Sequence, residues 1–173
     1  MDRMTIVPAP VRAEIIVQAT PALAFEVFTA RIGRWWNPSF SIGSSPQKDV
    51  SIEPKPGGRW FERGEDGSEC DWGKVLVWEA PSRIVLGWQL GADFRYDPNL
   101  LTELEIRFVP AGKGQTKVVL EHRNLERFGD RADEVRGAIG SDQGWPGLLR
   151  RYQERVAALS GSESPWREQR GRG

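Results

Sequence analysis

The chain has little of several things that chemistry usually needs. It carries one cysteine and one histidine among 173 residues. A lone Cys70 excludes an internal disulfide and any Cys-x-x-Cys redox or zinc motif. A lone His122 excludes a two-histidine zinc site, so no metal and no cofactor are expected. No Gly-x-Ser-x-Gly elbow and no phosphate-cradling glycine loop occur. No catalytic residue stands out, and an enzymatic role is expected less than a binding one. Charge of one sign is not in excess either: 24 basic residues face 24 acidic ones, and the net charge is zero. That balance argues against a nucleic-acid protein working through a basic face. No apolar run is long enough to span a bilayer, and no charged-then-apolar leader opens the chain. A cytoplasmic protein without a membrane span is expected.

What the chain has is tryptophan, eight of them. Trp36, Trp60, Trp72, Trp78, Trp88 and Trp145 fall on the elements derived below, and Trp166 lies in the tail. Tryptophan brings a large rigid apolar surface with a single N–H that seeks a partner. Such residues suit a fully packed core. They also suit the wall of a pocket with a few polar anchors.

The strongest periodic signal runs from 145 to 159. Trp145, Leu148, Leu149, Tyr152, Val156 and Leu159 recur at the spacing of one helical face, with Arg150, Arg151, Gln153, Glu154 and Arg155 between them. Pro146 fits only a first turn, so the helix begins near Trp145. Ser160-Gly161-Ser162 reads as its stop, after Leu159. Upstream, Val11 to Gln18 alternates as a half-buried strand. Thr20-Pro21 opens a short helix with Leu23, Ala24, Val27 and Phe28 inward. Residues 31–38 read as a second short helix or turn. Strands are then predicted at 49–53, 59–63, 69–79, 83–90, 101–109 and 116–123, separated by Gly- and Pro-containing turns. A further short helix is possible at 133–139. One-sided strands need a cover, and the last helix is the only element long enough to provide it. The expectation is an α+β domain over 11–159, with a lead-in at 1–10 and a flexible tail at 160–173.

Four segments then carry a resemblance: Arg34-Trp35-Trp36-Asn37-Pro38; Pro56-Gly57-Gly58-Arg59-Trp60; Asp66-Gly67 followed by Gly73-Lys74-Val75; and Gly144-Trp145 at the last helix. Pro81-Ser82-Arg83-Ile84-Val85 and Gly114-Gln115-Thr116 fit as well. The chain resembles the helix-grip superfamily of the birch-pollen allergen and START domains (SRPBCC, START-like). Within it, the chain is similar to the family named for the activator of the heat-shock-protein-ninety ATPase. The resemblance implies a curved antiparallel sheet wrapped around a long C-terminal helix, with two short helices after the first strand. It also implies an apolar cavity between sheet and helix, in a superfamily whose members bind lipids, sterols or polyketides. It supplies no shared catalytic motif.

The tryptophans and the resemblance together place twelve residues around that cavity: Trp36, Phe40, Trp60, Trp72, Trp88, Tyr96, Leu104, Ile106, His122, Trp145, Leu149 and Tyr152. Its entrance is expected near Trp36, Phe40 and the loop of Phe94 and Tyr96. His122 should face inward, satisfied by backbone in the core or at its rim, or else acting as a base or ligand anchor. Cys70 should be an inert, half-buried thiol. Most of the carboxylates are read as the wet faces of strands. The function expected is binding or carriage of a small apolar or aromatic molecule. The alternatives are a protein-interaction module, partnering a heat-shock ATPase or a second copy of itself, and a cyclase- or hydrolase-like enzyme using the same cavity.

Overall fold

The computed structural model describes residues 8–162. Strand β1 (Val11–Val17) forms where the alternation lies, burying Val11 and Val17 and leaving Arg12 and Glu14 in water. Helix α1 (Pro21–Thr29) starts at the expected pair. The Thr20 hydroxyl accepts the Leu23 N–H at 3.3 Å, and Pro21 sits in the first turn. Its inner face buries Ala24, Phe25, Val27 and Phe28. The segment before the Trp pair resolves to a single 3-10 turn, Ile32–Arg34.

Six strands follow: β2 (Gln47–Ile52), β3 (Arg59–Gly64), β4 (Glu69–Glu79), β5 (Arg83–Trp88), β6 (Thr102–Gly112) and β7 (Gln115–Arg123). With β1 they make one antiparallel sheet in the order β1-β7-β6-β5-β4-β3-β2. From β2 to β7 each strand pairs with its neighbour in sequence. Only β1 crosses, setting Val11 opposite His122 and Val17 opposite Thr116. The edges are therefore β1 and β2. The register of β2 on β3 slips between Gln47 and Asp49, which leaves Lys48 as an extra residue.

The chain closes with a 3-10 segment, Leu125–Arg131, kinked at Gly129, then α2 (Ala132–Ile139) and α3 (Trp145–Ser162). The expected stop at Leu159 is corrected, because α3 continues through Ser160 and Gly161 to Ser162. Residues 1–7 and 163–173, holding most of the expected lead-in and tail, lie outside the described residues.

Along α3 the predicted stripe is turned inward: Trp145, Leu148, Leu149, Tyr152 and Val156 are buried and Leu159 half-buried. It lies over the face of the sheet that carries Ile84, Leu86 and Trp88 on β5, Leu104, Ile106 and Phe108 on β6, and Val118, Leu120 and His122 on β7. These nine residues are 0–4% exposed. This is a helix-grip fold of the α+β class. The opposite face carries matched charges around Glu105, itself only 7% exposed: Arg123 meets Glu103 at 2.9 Å, Glu105 at 2.6 Å and Glu121 at 3.1 Å. Such pairs contribute little each. Their arrangement explains which face the helix covers.

A ring-lined pocket at the start of the last helix

The layer between α3 and the sheet is not uniform. Around Tyr152 it is filled. The Tyr152 hydroxyl donates to the Ala24 carbonyl at 2.7 Å, and its ring packs on Phe28 at 5.2 Å and Trp35 at 5.4 Å. Phe108 meets Phe25 at 5.1 Å, and the Trp35 indole donates to the Val27 carbonyl at 2.9 Å. Burial pushes the Tyr152 phenol far above its ordinary pKa. Leu104, Ile106 and Leu149 are buried in the same core.

Two turns back along α3 the rings do not close up. A pocket of about 370 Å³ opens there, at the low end of the usual size of ligand sites. Trp36, Trp72, Trp88 and Trp145 form one side of it, with neighbouring ring centroids 5.3–6.2 Å apart. The loop of Ser39, Phe40, Ser41 and Ile42 forms a second wall. The third runs from Ala138 and Ile139 through Ser141, Gln143 and Gly144 to Leu148. A Cβ on Gly144 would lie 2.2 Å from the Ile139 carbonyl oxygen, so only glycine lets the end of α2 approach α3 this closely. Phe94 stands at the rim, 40% exposed, with a left-handed backbone at φ 60°. Among the described residues no charged side chain lines the pocket; its polar side chains are hydroxyls, one amide and the indoles.

The 39–42 wall is held by hydrogen bonds at each step. Asn37 accepts the Ser39 N–H at 3.0 Å and the Ser39 hydroxyl at 2.7 Å. The Phe40 carbonyl accepts from the Trp36 indole at 3.0 Å and from the Gln47 amide at 2.9 Å. The next three residues turn to Glu62 on β3, a carboxylate only 1% exposed. It accepts from the Ser41 hydroxyl at 2.6 Å, the Ile42 N–H at 2.8 Å, the Gly43 N–H at 3.3 Å and the Trp72 indole at 2.9 Å. Glu62 is an exception to the reading of most carboxylates as wet faces. Glu62 shares strand parity with Trp60, which faces inward, and that parity was the available signal.

His122 is fully buried behind the pocket, in ring contact with Trp88 at 5.1 Å. An indole N–H can only donate, so the 3.1 Å bond from Trp145 makes His122 Nδ1 an acceptor. The proton then sits on Nε2, which donates to Thr102 Oγ1 at 2.8 Å. Burial lowers the imidazole pKa to about 3. Both nitrogens are engaged, by side chains rather than by backbone, and the ring is neutral at physiological pH. Cys70 is half-buried, and its thiol is pushed up by burial and then by the Glu62 charge.

Of the twelve residues placed around the cavity, Trp36, Phe40, Trp72, Trp88 and Trp145 meet at this pocket. Trp60 lies behind them, stacked on Trp72 at 5.8 Å. His122 also lies behind. Tyr96 is 42% exposed and stands outside this lining, while Leu104, Ile106, Leu149 and Tyr152 are buried in the core beyond it. Ser39, Ser41, Ile42, Ile139, Ser141, Gln143 and Leu148 enter the lining without having been named for it. Leu148 carried a signal, because it belongs to the same helical stripe as Trp145.

The family model described as activator of Hsp90 ATPase homolog 1-like protein matches residues 18–157. Among solved structures, the anthrahydroquino-gamma-pyrone synthase Txn09 is 34% identical, covers 87% of this chain and 99% of its own, and has a TM-score of 0.60. The self-sacrificing resistance protein CalC from Micromonospora echinospora is 30% identical, covers 87% and 96%, and has a TM-score of 0.64. Protein NE0264 from Nitrosomonas europaea shares the fold alone, at 14% identity, coverage of 88% and 97%, and a TM-score of 0.63. No match is found among curated proteins.

Proposed function

The chain belongs to the family of activator of Hsp90 ATPase homolog 1-like proteins, and on that premise we propose that it binds a small, uncharged aromatic molecule in the ring-lined pocket. One observation carries the reading. Four indoles wall a space of about 370 Å³ into which, among the described residues, no charged side chain reaches. Rings prefer edge-to-face and offset contact with other rings, so a flat apolar body gains both burial and geometry here. An ionised group taken into the same space would have no counter-charge. The hydroxyls of Ser39, Ser41 and Ser141 and the Gln143 amide suit a ligand with one polar end.

A second reading, that the same pocket shapes a substrate for ring closure, is favoured by the 34% identity to a synthase. Such a reaction would rest on positioning, because the described residues of the lining include no carboxylate, imidazole or thiol. The heat-shock ATPase partner rests on the family's description alone.

The test is a titration with 1,8-dihydroxyanthraquinone and, separately, with a saturated fatty acid. The quinone is expected to quench tryptophan emission and to raise the melting temperature with its concentration. Stabilisation reaches about 2.7 kcal/mol at a hundredfold excess over Kd. A flat response to a panel of polycyclic aromatics, alongside a stable complex with a heat-shock ATPase, would overturn the proposal.

A further inference from the structure

We infer that Glu62 is a positioning residue for the pocket, one carboxylate that sets the spacing between its loop wall and its indole floor. The inference rests on reading the pocket as a ligand site. Glu62 does not itself line the space. It touches what does: Ser41 and Ile42 on one wall, Trp72 on the other, with Gly43 beside them. All four donors are uncharged, and among the described residues no arginine or lysine pairs with this side chain. A buried carboxylate without a counter-cation is costly, and an apolar residue of similar volume usually fills such a place at less cost. What an apolar residue cannot do is hold two loop amides, a hydroxyl and an indole N–H at once. Those four bonds are the compensation the site offers, and each ends on the pocket's frame.

The loop lies directly on the carboxylate. A Cβ on Gly43 would stand 3.2 Å from Glu62 Oε2 and 3.6 Å from Cys70 Sγ. The two oxygens divide the work. Oε1 takes the Ile42 amide and the Trp72 indole, so one atom bridges wall and floor. Oε2 takes the Ser41 hydroxyl and, at 3.3 Å, the Gly43 amide. Glutamine can reproduce most of this. Its carbonyl oxygen replaces Oε1, its amide donates to the Ser41 hydroxyl, and only the longest of the four bonds is lost. Leucine keeps the bulk and loses all four. Aspartate keeps the charge but draws it back by one methylene.

The experiment compares Glu62→Gln, Glu62→Leu, Glu62→Asp and a pocket-filling Leu148→Trp with the unaltered chain. Affinity for 1,8-dihydroxyanthraquinone is read at a temperature where circular dichroism shows each variant fully folded. Hydrogen exchange of the Ile42 and Gly43 amides is read without ligand. Glu62→Gln should bind within about threefold and protect Ile42. Glu62→Leu should weaken binding by about tenfold or more and lose protection at both amides, and Glu62→Asp should do the same to a smaller degree. A purely structural role would shift melting temperatures and leave the affinity of folded protein unchanged. If Glu62→Leu does not fold, Glu62→Asp against Glu62→Gln carries the comparison. Unchanged affinity, or unchanged amide protection, in the folded Leu or Asp variant overturns the inference. Equal binding by Leu148→Trp and the unaltered chain instead removes the pocket reading, and the exchange data would stand apart from that failure.

Discussion

The two halves of the layer beneath α3 are built from the same kinds of side chain and end differently. Around Tyr152, the rings of Phe25, Phe28, Trp35 and Phe108 interlock, and the polar atoms of Tyr152 and Trp35 are matched by backbone carbonyls. Around Trp145, the rings of Trp36, Trp72 and Trp88 meet edge to face and leave about 370 Å³ in front of them. The filled half takes its rings from α1, the turn after it, β6 and α3, which press on one another directly. The open half takes them from β4, β5, the start of α3 and, through Trp36, the same turn after α1, with the 39–42 loop standing off as the far wall. Aromatic content alone does not decide between core and pocket. What decides is whether a loop, held by its own hydrogen bonds, keeps its distance.

The most severe way to break that contrast is to cut into each half. Tyr152→Ala should cost about 3–5 kcal/mol in a denaturant melt, the range for large aromatic deletions in a closed core. Phe40→Ala, at the pocket wall, should cost less than half as much. Equal costs would mean the two halves are packed alike. Next comes the border between them, where His122 keeps its proton balance behind the pocket. Its folded pKa lies near 3 and its unfolded one near 6.5. Between those values only the unfolded chain takes up the proton, so stability is complete above about pH 6.5 and is lost as pH falls towards 3. The slope is at most about 1.4 kcal/mol per pH unit. The stability advantage of the unaltered chain over His122→Gln should therefore shrink from pH 7 to pH 4. A constant advantage would show that water reaches the ring.

Adding bulk separates the halves in the other direction. Leu104→Trp should overpack and cost about 1–3 kcal/mol. Leu148→Trp has room ahead of it and should cost under about 1 kcal/mol while removing ligand binding. The reverse ranking, from thermal or denaturant melts, would move the free space to the middle of the sheet. The smallest effect is expected at the rim. Phe94→Ala should change stability by no more than about 0.5 kcal/mol, as exposed positions do, yet weaken ligand binding measurably. A large loss of stability would make Phe94 part of the core.

Much of this fold could be read from residue order. Alternation and the Gly- and Pro-containing turns between segments located seven strands, Thr20-Pro21 opened α1, and the stripe from Trp145 marked both the start of α3 and its buried face. The end of α3 was misread because Ser-Gly-Ser is poor helix material, with glycine costing about 1 kcal/mol relative to alanine. The helix passes through it all the same. The pocket was legible only in part, for a different reason. Periodicity says which way Leu104, Ile106 and Tyr152 point, but not how much of the space they point into is taken. That quantity depends on rings arriving from α1 and β6, far away in sequence. Glu62 was hidden by its own type, since a glutamate on a strand suggests water until its parity with Trp60 is counted.

The slipped register on β2 has a consequence for how these molecules behave in company. An open sheet ends in two rows of backbone donors and acceptors that another chain's strand could extend, which is the first step of many aggregates. On β1 part of that row is already engaged, because Gln153 of α3 donates to the Ile16 carbonyl at 2.8 Å. On β2 the extra residue breaks the straight run at Gln47–Asp49, and it does so with Lys48 and Asp49 standing exposed. An incoming strand would meet a bend and two charges where it needs a flat ladder. Among the described residues the bulge thus makes β2 a poor template for a second copy of the chain, as the Gln153 contact does for part of β1.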